Sequence, residues 1–377
     1  MSGTSLDGID AALLDLSPTE SGYDVRVERF RTVPFEDRLR RRLEAVLPPN
    51  VGSSAAVAQL HADLGTAFAD VARSVAGGER VDFAATHGLT LYHDGSRATT
   101  LQIGRPYELR DVLAATVVWD FRSADCALGG EGAPLVPFVD AMLLSSCDED
   151  RVAINIGGIC NLTILARSAP ACDAIAFDTG PGTMLLDAFV RERTGKPYDA
   201  GGSYTAAGTV DEALAASLLS DPYFAREPPK STGRERFGRQ LLDAHAAAFD
   251  RLGIEDGCAT LAALTVRPLA AAIERYAPPG ARAIVGGGGA RNLALVRMLE
   301  IALGQGRVAL ADSFGIDADA KEAIAFAILG YETLRGRPAN LPRVTGAREH
   351  AVLGAIVPHE LPSLLARIAR ETHRASG

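Results

Sequence analysis

The pattern that most limits how this chain can fold is a set of short strands joined by a turn, and it occurs twice. Strands are predicted at 9–16 and 23–33, and again at 151–156, 159–165 and 174–177. Each set is followed by segments in which helical and strand periodicities alternate. Because crossover helices link neighbouring strands of one sheet, this alternation predicts an α/β protein with one such unit in each half of the chain.

With 377 residues the chain is longer than a typical single domain. We expect two ribonuclease-H-like domains around a central cleft: residues 1–128, and residues 129–377 with helical additions. Such a unit begins with three antiparallel strands, and the first of the three is missing before residue 9. The first domain is therefore expected to lack its first strand, and a chain extended upstream by one strand is expected to be the more stable.

Periodicity also predicts the remaining elements. Helices are predicted at about 35–47, 54–76, 210–219, 291–303, 317–334 and 359–373, and strands at 82–86, 99–103, 115–119, 282–285 and 307–310. The segment 229–237 combines too many polar and basic side chains for a core position. We expect it to line a cleft or to clasp a partner.

Composition excludes several classes of function. The chain has 38 Lys and Arg against 47 Asp and Glu, a net charge of −9, which argues against binding to nucleic acid or to an anionic membrane. Its five cysteines form no Cys-x-x-Cys pair, so neither a zinc site nor a disulfide framework is indicated. No apolar stretch is expected to reach the ~20 residues of a membrane span. These features predict a cytoplasmic protein without nucleic-acid or membrane partners.

Glycine turns at predicted strand ends indicate phosphate chemistry. They lie at 3–8, 157–158, 180–182 and 286–289, where backbone N–H groups can face a phosphate, and strand ends are where open α/β sheets bind ligands. Near the first turn, Thr4 and Ser5 offer hydroxyls, and Asp7 and Asp10 offer the oxygen ligands that Mg²⁺ prefers. The alternative for this first segment is a simple turn built from turn-favouring residues.

Several charged residues are candidates for the chemistry, each with a structural alternative. Asp178 is predicted to end the strand 174–177, where partial desolvation suits a general base; alternatively it caps a helix or turn.

Arg122 lies between Asp120 and Asp125 after the predicted strand 115–119. It is either a substrate contact or part of a surface ion pair. The remaining candidates are His87 and His93, which flank a predicted hairpin, and Glu322, which lies on a predicted helix. A hydrogen-bonded structural histidine and a solvent-facing glutamate are the alternatives for these.

In these motifs the chain resembles the 1,6-anhydro-N-acetylmuramic acid kinase family, in order and over nearly its whole length. The motifs are MSGTSLDGID at 1–10, LQIG at 101–104, DFRSAD at 120–125, GAPLVP at 132–137, NIGG at 155–158, FDTGPG at 177–182, KSTGRERF at 230–237, GGG at 286–288 and DAKE at 319–322. The resemblance implies an actin/hexokinase/heat-shock-chaperone fold that binds ATP and Mg²⁺, and a homodimer. It also implies a reaction of peptidoglycan recycling, in which water opens the anhydro ring and O6 is phosphorylated to give N-acetylmuramic acid 6-phosphate.

The resemblance also implies roles for individual residues. Asp178 is implied to activate the attacking water, Asp7 to lie near the metal, and His87, Arg122 and Glu322 to hold the sugar. The residues implied to bind the nucleotide are Gly3, Thr4, Ser5, Leu6, Asp7, Gly8, Ile9 and Asp10 in the first loop, Gly157 and Gly158 in the second, and Gly286, Gly287 and Gly288 in the third.

Three local departures from the family pattern each affect one polar contact. Leu89 and Glu131 stand where the family tends to have glutamine, and Thr183 where it has asparagine; Leu89 has no side-chain hydrogen-bonding group at all. Two alternatives to the anhydro-sugar kinase therefore stay open. One is a kinase of the same fold for another sugar, and the other is a nucleotide-binding protein without turnover.

Overall fold

The computed structural model describes residues 1–3, 6, 8–19, 22–47, 50–316 and 320–375. The chain folds into two compact units, Met1–Leu143 with Ala320–Gly377 (unit 1) and Leu144–Asp319 (unit 2). The strands are β1 (Ile9–Pro18), β2 (Tyr23–Val33), β3 (Phe83–Ala85), β4 (Leu89–Asp94), β5 (Thr99–Ile103), β6 (Thr116–Trp119), β7 (Arg151–Ile156), β8 (Ile159–Leu165), β9 (Ile175–Pro181), β10 (Arg282–Gly286), β11 (Val308–Leu310) and β12 (Ala355–Val357).

The helices confirm the predicted α/β alternation. They are α1 (Asp37–Glu44), α2 (Ser54–Ala76), α3 (Pro106–Leu113), α4 (Ser123–Ala127), α5 (Val136–Leu144), α6 (Met184–Thr194), α7 (Ser203–Ala207), α8 (Glu212–Leu219), α9 (Arg234–Phe237), α10 (Arg239–Ala244), α11 (Ala246–Phe249), α12 (Ile254–Tyr276), α13 (Leu293–Leu303), α14 (Lys321–Leu334), α15 (Pro342–Thr345) and α16 (Leu361–Ala375).

Unit 2 is built on one mixed sheet of described strands in the order β11-β10-β7-β8-β9. The β7, β8 and β9 strands run antiparallel, whereas β10 and β11 join β7 in parallel. Alternating residues of β7, Val152, Ile154 and Ile156, are buried in one hydrophobic cluster with residues of α6, α12 and α13. This arrangement of three antiparallel and two parallel strands confirms the ribonuclease-H-like unit that the second half of the sequence predicts.

The strands of unit 1 form three smaller sheets. β1 pairs with β2, β4 pairs with β5, and β3, β6 and β12 form the third, with the order β12-β6-β3. No described strand hydrogen-bonds to both β1 and β3. The first unit is thus a set of separate sheets in the described residues, covered by α2, α3, α14 and α16.

The compact units differ from the expected boundary at 128/129, because residues far apart in sequence pair with one another. β12 pairs antiparallel with β6, and Ala355 lies opposite Trp119. Lys321 at the start of α14 forms a buried ion pair with Asp140 on α5, with 2.8 Å between Nζ and Oδ1. Residues 136–143 of α5 and the elements α14, α15, α16 and β12 accordingly belong to unit 1. Local periodicity contains no signal for such pairings.

The longest core helix of unit 2, α12, is not predicted from the sequence, because Pro268 interrupts its helical pattern. It is the one helix in the described residues whose length and apolar composition would suit a membrane crossing, whereas the sequence reading predicts no such stretch. Of its most apolar window, 72% is buried inside the protein. That burial is typical of a core helix, and α12 packs against β8 and β9.

Candidate functional site

Asp178 lies inside a strand, not at its end as predicted. β9 continues to Pro181, which lies opposite Ile159 of β8, and Asp178 lies opposite Asn161 beside a bulge at Thr179 of β9. The sequence places a turn at 180–182 because glycine and proline usually end strands. Here Gly180 stays in the strand with φ of +145°, and a Cβ on it would lie 2.8 Å from the Phe224 ring.

The 229–237 segment, which the sequence predicts to line a cleft or clasp a partner, packs beside Asp178. The Asp178 N–H donates to the Lys230 carbonyl at 3.1 Å, and the Thr232 N–H donates to Asp178 Oδ2 at 2.9 Å. From an earlier position in the chain, the Tyr223 hydroxyl donates to the Asp178 carbonyl at 2.8 Å. Backbone and carboxylate of Asp178 are therefore both held.

The groups around Asp178 show the effect of burial. Burial raises the pKa of the Cys160 thiol on β8 to about 12, and the Asp178 charge adds to that rise. Burial also raises the pKa of the Tyr223 phenol, again with a contribution from Asp178. Both groups consequently stay protonated at neutral pH, and Asp178 is the group of these three that can take up a proton.

The turn Gly157–Gly158 is tied to the start of α6. Its two carbonyls accept hydrogen bonds at 2.8 Å from the N–H groups of Thr183 and Gly182. A Cβ on either glycine would meet protein atoms only at 3.4 Å or beyond, which is ordinary van der Waals contact. The fold itself therefore does not require glycine at these positions, and the space beside them fits the close approach of a ligand.

The three predicted glycines at the end of β10 and in the turn that follows it have different roles. Gly287 has φ of +79°, and a Cβ on it would lie 2.5 Å from the Asn155 side chain, so packing and backbone conformation both require glycine there. A Cβ on Gly288, by contrast, would meet no atom within 4 Å. Gly288 is thus the open position of this turn, while Gly286 ends β10.

In the first loop, Thr4, Ser5 and Asp7 lie outside the described residues, so the metal and phosphate roles predicted for them stay predictions.

Leu6 is buried in the core of unit 1, which leaves only its backbone for a nucleotide. Ile9 is likewise buried, while Gly3 is exposed. Gly8 lies close to β2, where a Cβ would be 2.8 Å from the Val33 carbonyl. Asp10 accepts a hydrogen bond from the Thr32 hydroxyl at 2.6 Å.

The residues implied to hold the sugar come together in unit 1. The Arg122 Nε donates to His87 Nε2 at 2.9 Å, and burial holds the pKa of His87 well below its usual value, helped by the Arg122 charge. His87 is therefore a neutral acceptor for Arg122. Burial and then the Asp10 charge raise the pKa of Glu322, and Arg122 opposes that rise.

Asp125 and Asp120 have different surroundings. Asp125 is fully buried and accepts hydrogen bonds from Gly132 N, Asn340 Nδ2 and Thr345 Oγ1 at 2.7–2.8 Å. Its hydrogen bonds connect α4 to the loop that follows it and to α15. Asp120 has φ of +54° and accepts a hydrogen bond from Ser123. His93 lies at the partly exposed surface, with Nδ1 3.1 Å from the Thr100 hydroxyl.

The three residues that depart from the family pattern have different surroundings. Leu89 is fully buried in the core of unit 1, so hydrophobic packing replaces a polar contact there. The Glu131 N–H donates to the Thr345 carbonyl at 2.7 Å. Thr183 donates its backbone N–H to the Gly157 carbonyl, a bond for which the sequence contains no signal.

Two residues of the site are missed by sequence reasoning. Tyr223 lies 45 residues from Asp178 and resembles any core tyrosine, since it is fully buried. Thr232 falls in the polar segment 229–237, but nothing in its pattern shows that its N–H reaches Asp178. The polar composition of that segment is the only signal available.

Comparison with known proteins identifies the family. The sequence model of the anhydro-N-acetylmuramic acid kinase family matches residues 1–359. This chain belongs to that family. Anhydro-N-acetylmuramic acid kinase from Streptomyces coelicolor is 40% identical over 99% of this chain and 96% of its own length.

A second relative gives the same result. The enzyme of that name from Xanthomonas axonopodis pv. citri is 41% identical over 95% of this chain and 96% of its own length. The predicted family is therefore confirmed, and membership of a kinase family supports ATP as the phosphoryl donor.

Proposed function

We propose that this chain is an ATP-dependent kinase that opens the 1,6-anhydro ring of anhydro-N-acetylmuramic acid with water and phosphorylates O6. The observation that carries the proposal is Asp178 and its contacts, in a chain whose family motifs match over residues 1–359. The backbone N–H, the backbone carbonyl and the Oδ2 atom of Asp178 are each hydrogen-bonded within the fold, so its carboxylate is pre-organised for proton transfer.

In the proposed reaction Asp178 takes one proton from water, and the remaining hydroxyl bonds to the anomeric carbon. The bond between that carbon and O6 breaks, and O6 forms a new bond to the γ-phosphorus as ADP departs. Ring opening and phosphoryl transfer thus balance with one water and one ATP consumed. The products are N-acetylmuramic acid 6-phosphate, ADP and a proton.

The described glycine turns fit a nucleotide. Gly157, Gly158 and Gly288 have room where a side chain would otherwise stand, and backbone N–H groups in such turns stabilise phosphate oxygens. ATP when bound supplies the transferable phosphoryl group. Within these turns Gly287 has a structural task, because it permits the positive φ that brings Gly288 to the open side.

The described residues of this chain offer few protein ligands for Mg²⁺. Among the described residues no group of three or more His, Cys, Asp or Glu could hold a metal ion. Mg²⁺ in kinases is typically held by one or two carboxylates together with phosphates and waters. Asp10 is the described carboxylate of the first loop, and Asp7 is the other carboxylate proposed for this task. A bound Mg²⁺ would neutralise phosphate charge.

In unit 1 the proposal assigns the sugar contacts to Arg122, His87 and Glu322. His87 accepts from Arg122 Nε, which fixes the plane of the guanidinium, and Arg122 Nη1 donates to the Gly132 carbonyl at 2.8 Å. Arg122 is thereby pre-organised, so little side-chain entropy is lost when it donates to a ligand oxygen. Glu322, with its pKa raised by burial, accepts or donates a proton more readily near neutral pH than an exposed glutamate.

The test is turnover of 1,6-anhydro-N-acetylmuramic acid with Mg·ATP, measured as ADP and 6-phosphate formed. We expect Asp178→Asn to fold and to bind ATP, because asparagine retains an oxygen that can accept from Thr232 N–H. Turnover should fall by about 10²- to 10⁴-fold, the usual contribution of a general base. Asp243→Asn is the matched control, since Asp243 forms an exposed ion pair with Arg239 in the same unit.

Each outcome decides between the alternatives. Formation of neither product by the unmodified protein contradicts the proposal, and ATP binding without turnover would favour the nucleotide-binding alternative. Faster turnover of N-acetylhexosamines with a free hydroxyl would favour a kinase for another sugar. Full activity of Asp178→Asn would remove Asp178 from the role of base. A homodimer, a cytoplasmic location and the absence of nucleic-acid and membrane partners stay predictions.

A further inference from the structure

The 229–237 motif has no role in the proposed reaction, yet part of it lies against the proposed base. β9 is the edge strand of its described sheet, with β8 on one side only. Edge strands leave backbone N–H and C=O groups without a strand partner. At Asp178 those two groups are taken by the Lys230 carbonyl and by the Tyr223 hydroxyl. Residues 223–232, which we term the strap, therefore close the sheet edge at the one residue proposed as base.

The strap also reaches the carboxylate. Thr232 N–H donates to Asp178 Oδ2 at 2.9 Å, so the strap contacts the backbone N–H, the backbone carbonyl and the side chain of the same residue. A structural edge cap needs only the two backbone contacts. The third contact fixes the side-chain torsion, and with it the direction in which the carboxylate points.

Aromatic and cationic contacts stiffen the strap itself. The Lys230 ammonium lies 4.9 Å from the centre of the Tyr223 ring and 5.8 Å from that of Phe177. Tyr223 is fully buried and packs edge-on against Phe237, with 5.4 Å between ring centres. Because cation–π contacts strengthen when desolvated, Lys230 ties the two ends of the strap together across the Tyr223 ring.

We propose that Tyr223 and Lys230 are positioning residues for Asp178: they hold the strap so that Thr232 N–H sets the orientation of the base. This inference rests on the proposed function, in which Asp178 activates water. Neither residue is proposed to touch substrate. Part of the polar segment 229–237, expected from the sequence to line a cleft or clasp a partner, is thus proposed to position Asp178 within the same chain.

The decisive variant is Tyr223→Phe, which keeps the ring and its contact with Lys230 and removes only the hydroxyl bonded to the Asp178 carbonyl. We expect kcat to fall about 10-fold or more, since a small misplacement of a reacting group costs up to ~10²-fold. The KM values for ATP and sugar should change by less than about twofold, because binding contacts are untouched.

The pH profile separates positioning from mere stabilisation. The Thr232 N–H stabilises the charged form of Asp178, and loosening it raises the pKa of that carboxyl. The acid limb of kcat/KM should therefore move to higher pH in Tyr223→Phe. Among the described residues, the titratable groups that interact with Asp178 include the Cys160 thiol from β8 and the Tyr223 phenol, and the Lys230 ammonium lies against the Tyr223 ring. Cys160, with its pKa at about 12, contributes no titration in this range.

Hydrogen exchange supplies a measurement that does not depend on turnover. The amides of Asp178 and Thr232 should exchange faster in Tyr223→Phe than in the unmodified protein. Tyr204→Phe is the matched control: it removes a phenol hydroxyl from the same unit, where the bond is to Lys196, and should leave exchange, kcat and pH profile unchanged. Lys230→Met, which removes the cation from the ring, should loosen the strap in the same way if Tyr223→Phe does not fold.

The outcomes distinguish this proposal from the function on which it rests. A folded Tyr223→Phe protein with unchanged exchange at Asp178 and Thr232 overturns the positioning role, as does unchanged kcat with an unchanged acid limb. Absence of turnover in the unmodified protein contradicts the proposed function instead, and the exchange rates then still decide whether the strap holds Asp178.

Discussion

Replacing Asp125 by asparagine should destabilise unit 1 while leaving the chemistry of Asp178 intact. The Asp125 carboxylate is fully buried and accepts three hydrogen bonds. Its Oδ1 accepts from Asn340 Nδ2 and Thr345 Oγ1, each at 2.7 Å, and its Oδ2 accepts from Gly132 N at 2.8 Å. An asparagine has one oxygen, so its amide nitrogen must face one of these donors in either orientation.

The cheaper orientation keeps the two bonds at Oδ1 and turns the amide nitrogen towards the Gly132 N–H. It loses one hydrogen bond to a charged group, worth about 1.5–3 kcal/mol, and leaves a buried donor unpaired. Removing a buried charge returns part of its desolvation cost. We therefore expect a loss of about 3 kcal/mol in the free energy of unfolding, which lowers Tm by about 6–12 °C for a unit of this size.

Differential scanning calorimetry at neutral pH measures the effect, with Asp120→Asn as the matched control. Asp120 lies five residues earlier, is partly exposed and accepts from Ser123, and asparagine tolerates its positive φ. The control should change the free energy of unfolding by less than about 0.5 kcal/mol. A Tm shift in Asp125→Asn no larger than that of Asp120→Asn would show that the three bonds do not carry the stability assigned to them.

Two further predictions concern the glycine turn and pH. Gly287→Ala should lower the free energy of unfolding by about 1–3 kcal/mol, because Gly287 has a positive φ and close packing. Gly288→Ala should keep its Tm but bind ATP more weakly, as measured by titration calorimetry. Equal stability of the two variants would contradict the different roles assigned to these glycines. His87 is neutral in the folded protein because burial lowers its pKa. In the unfolded chain this histidine binds a proton below about pH 6.5. The free energy of unfolding should therefore fall with decreasing pH, by up to ~1.4 kcal/mol per pH unit. His87→Gln should flatten this slope more than His93→Gln does, and identical slopes in thermal melts from pH 7 to about 5 would refute the linkage.

Elements with local signals could be predicted from the sequence. The helix predicted at 54–76 is α2 with the same bounds, because both of its ends carry a signal. Ser53 accepts a hydrogen bond from Ala56 N at its start, and Gly77 ends it with φ of +60°. The β1–β2 meander is likewise confirmed at nearly its predicted bounds, since alternating side chains and turn residues are both local.

What could not be predicted depends on partners distant in sequence. The sequence analysis predicts no strand at β12, which has only three residues and pairs with β6, a strand far away in the sequence. The hairpin predicted between His87 and His93 is wrong: the structure has a single strand there, β4, which contains His93 and pairs with β5. Within the candidate site the same limit applies to Tyr223, whose bond to Asp178 spans 45 residues. Residue types in the motifs are sufficient to propose Asp178, Arg122 and His87, but not to place them.

The position of Asp178 inside β9 explains why tertiary contacts, and not the strand itself, must hold it. A strand interior fixes the backbone of a residue through its neighbours on both sides, but among the described strands Asp178 pairs only with β8, beside a bulge. Another strand at this edge would pair with several residues of β9 and cover the carboxylate's surroundings. A phenol hydroxyl, one carbonyl and one N–H restrain a single residue instead. This arrangement orders the proposed base without extending the sheet, so loosening the strap should affect proton transfer before it affects the fold.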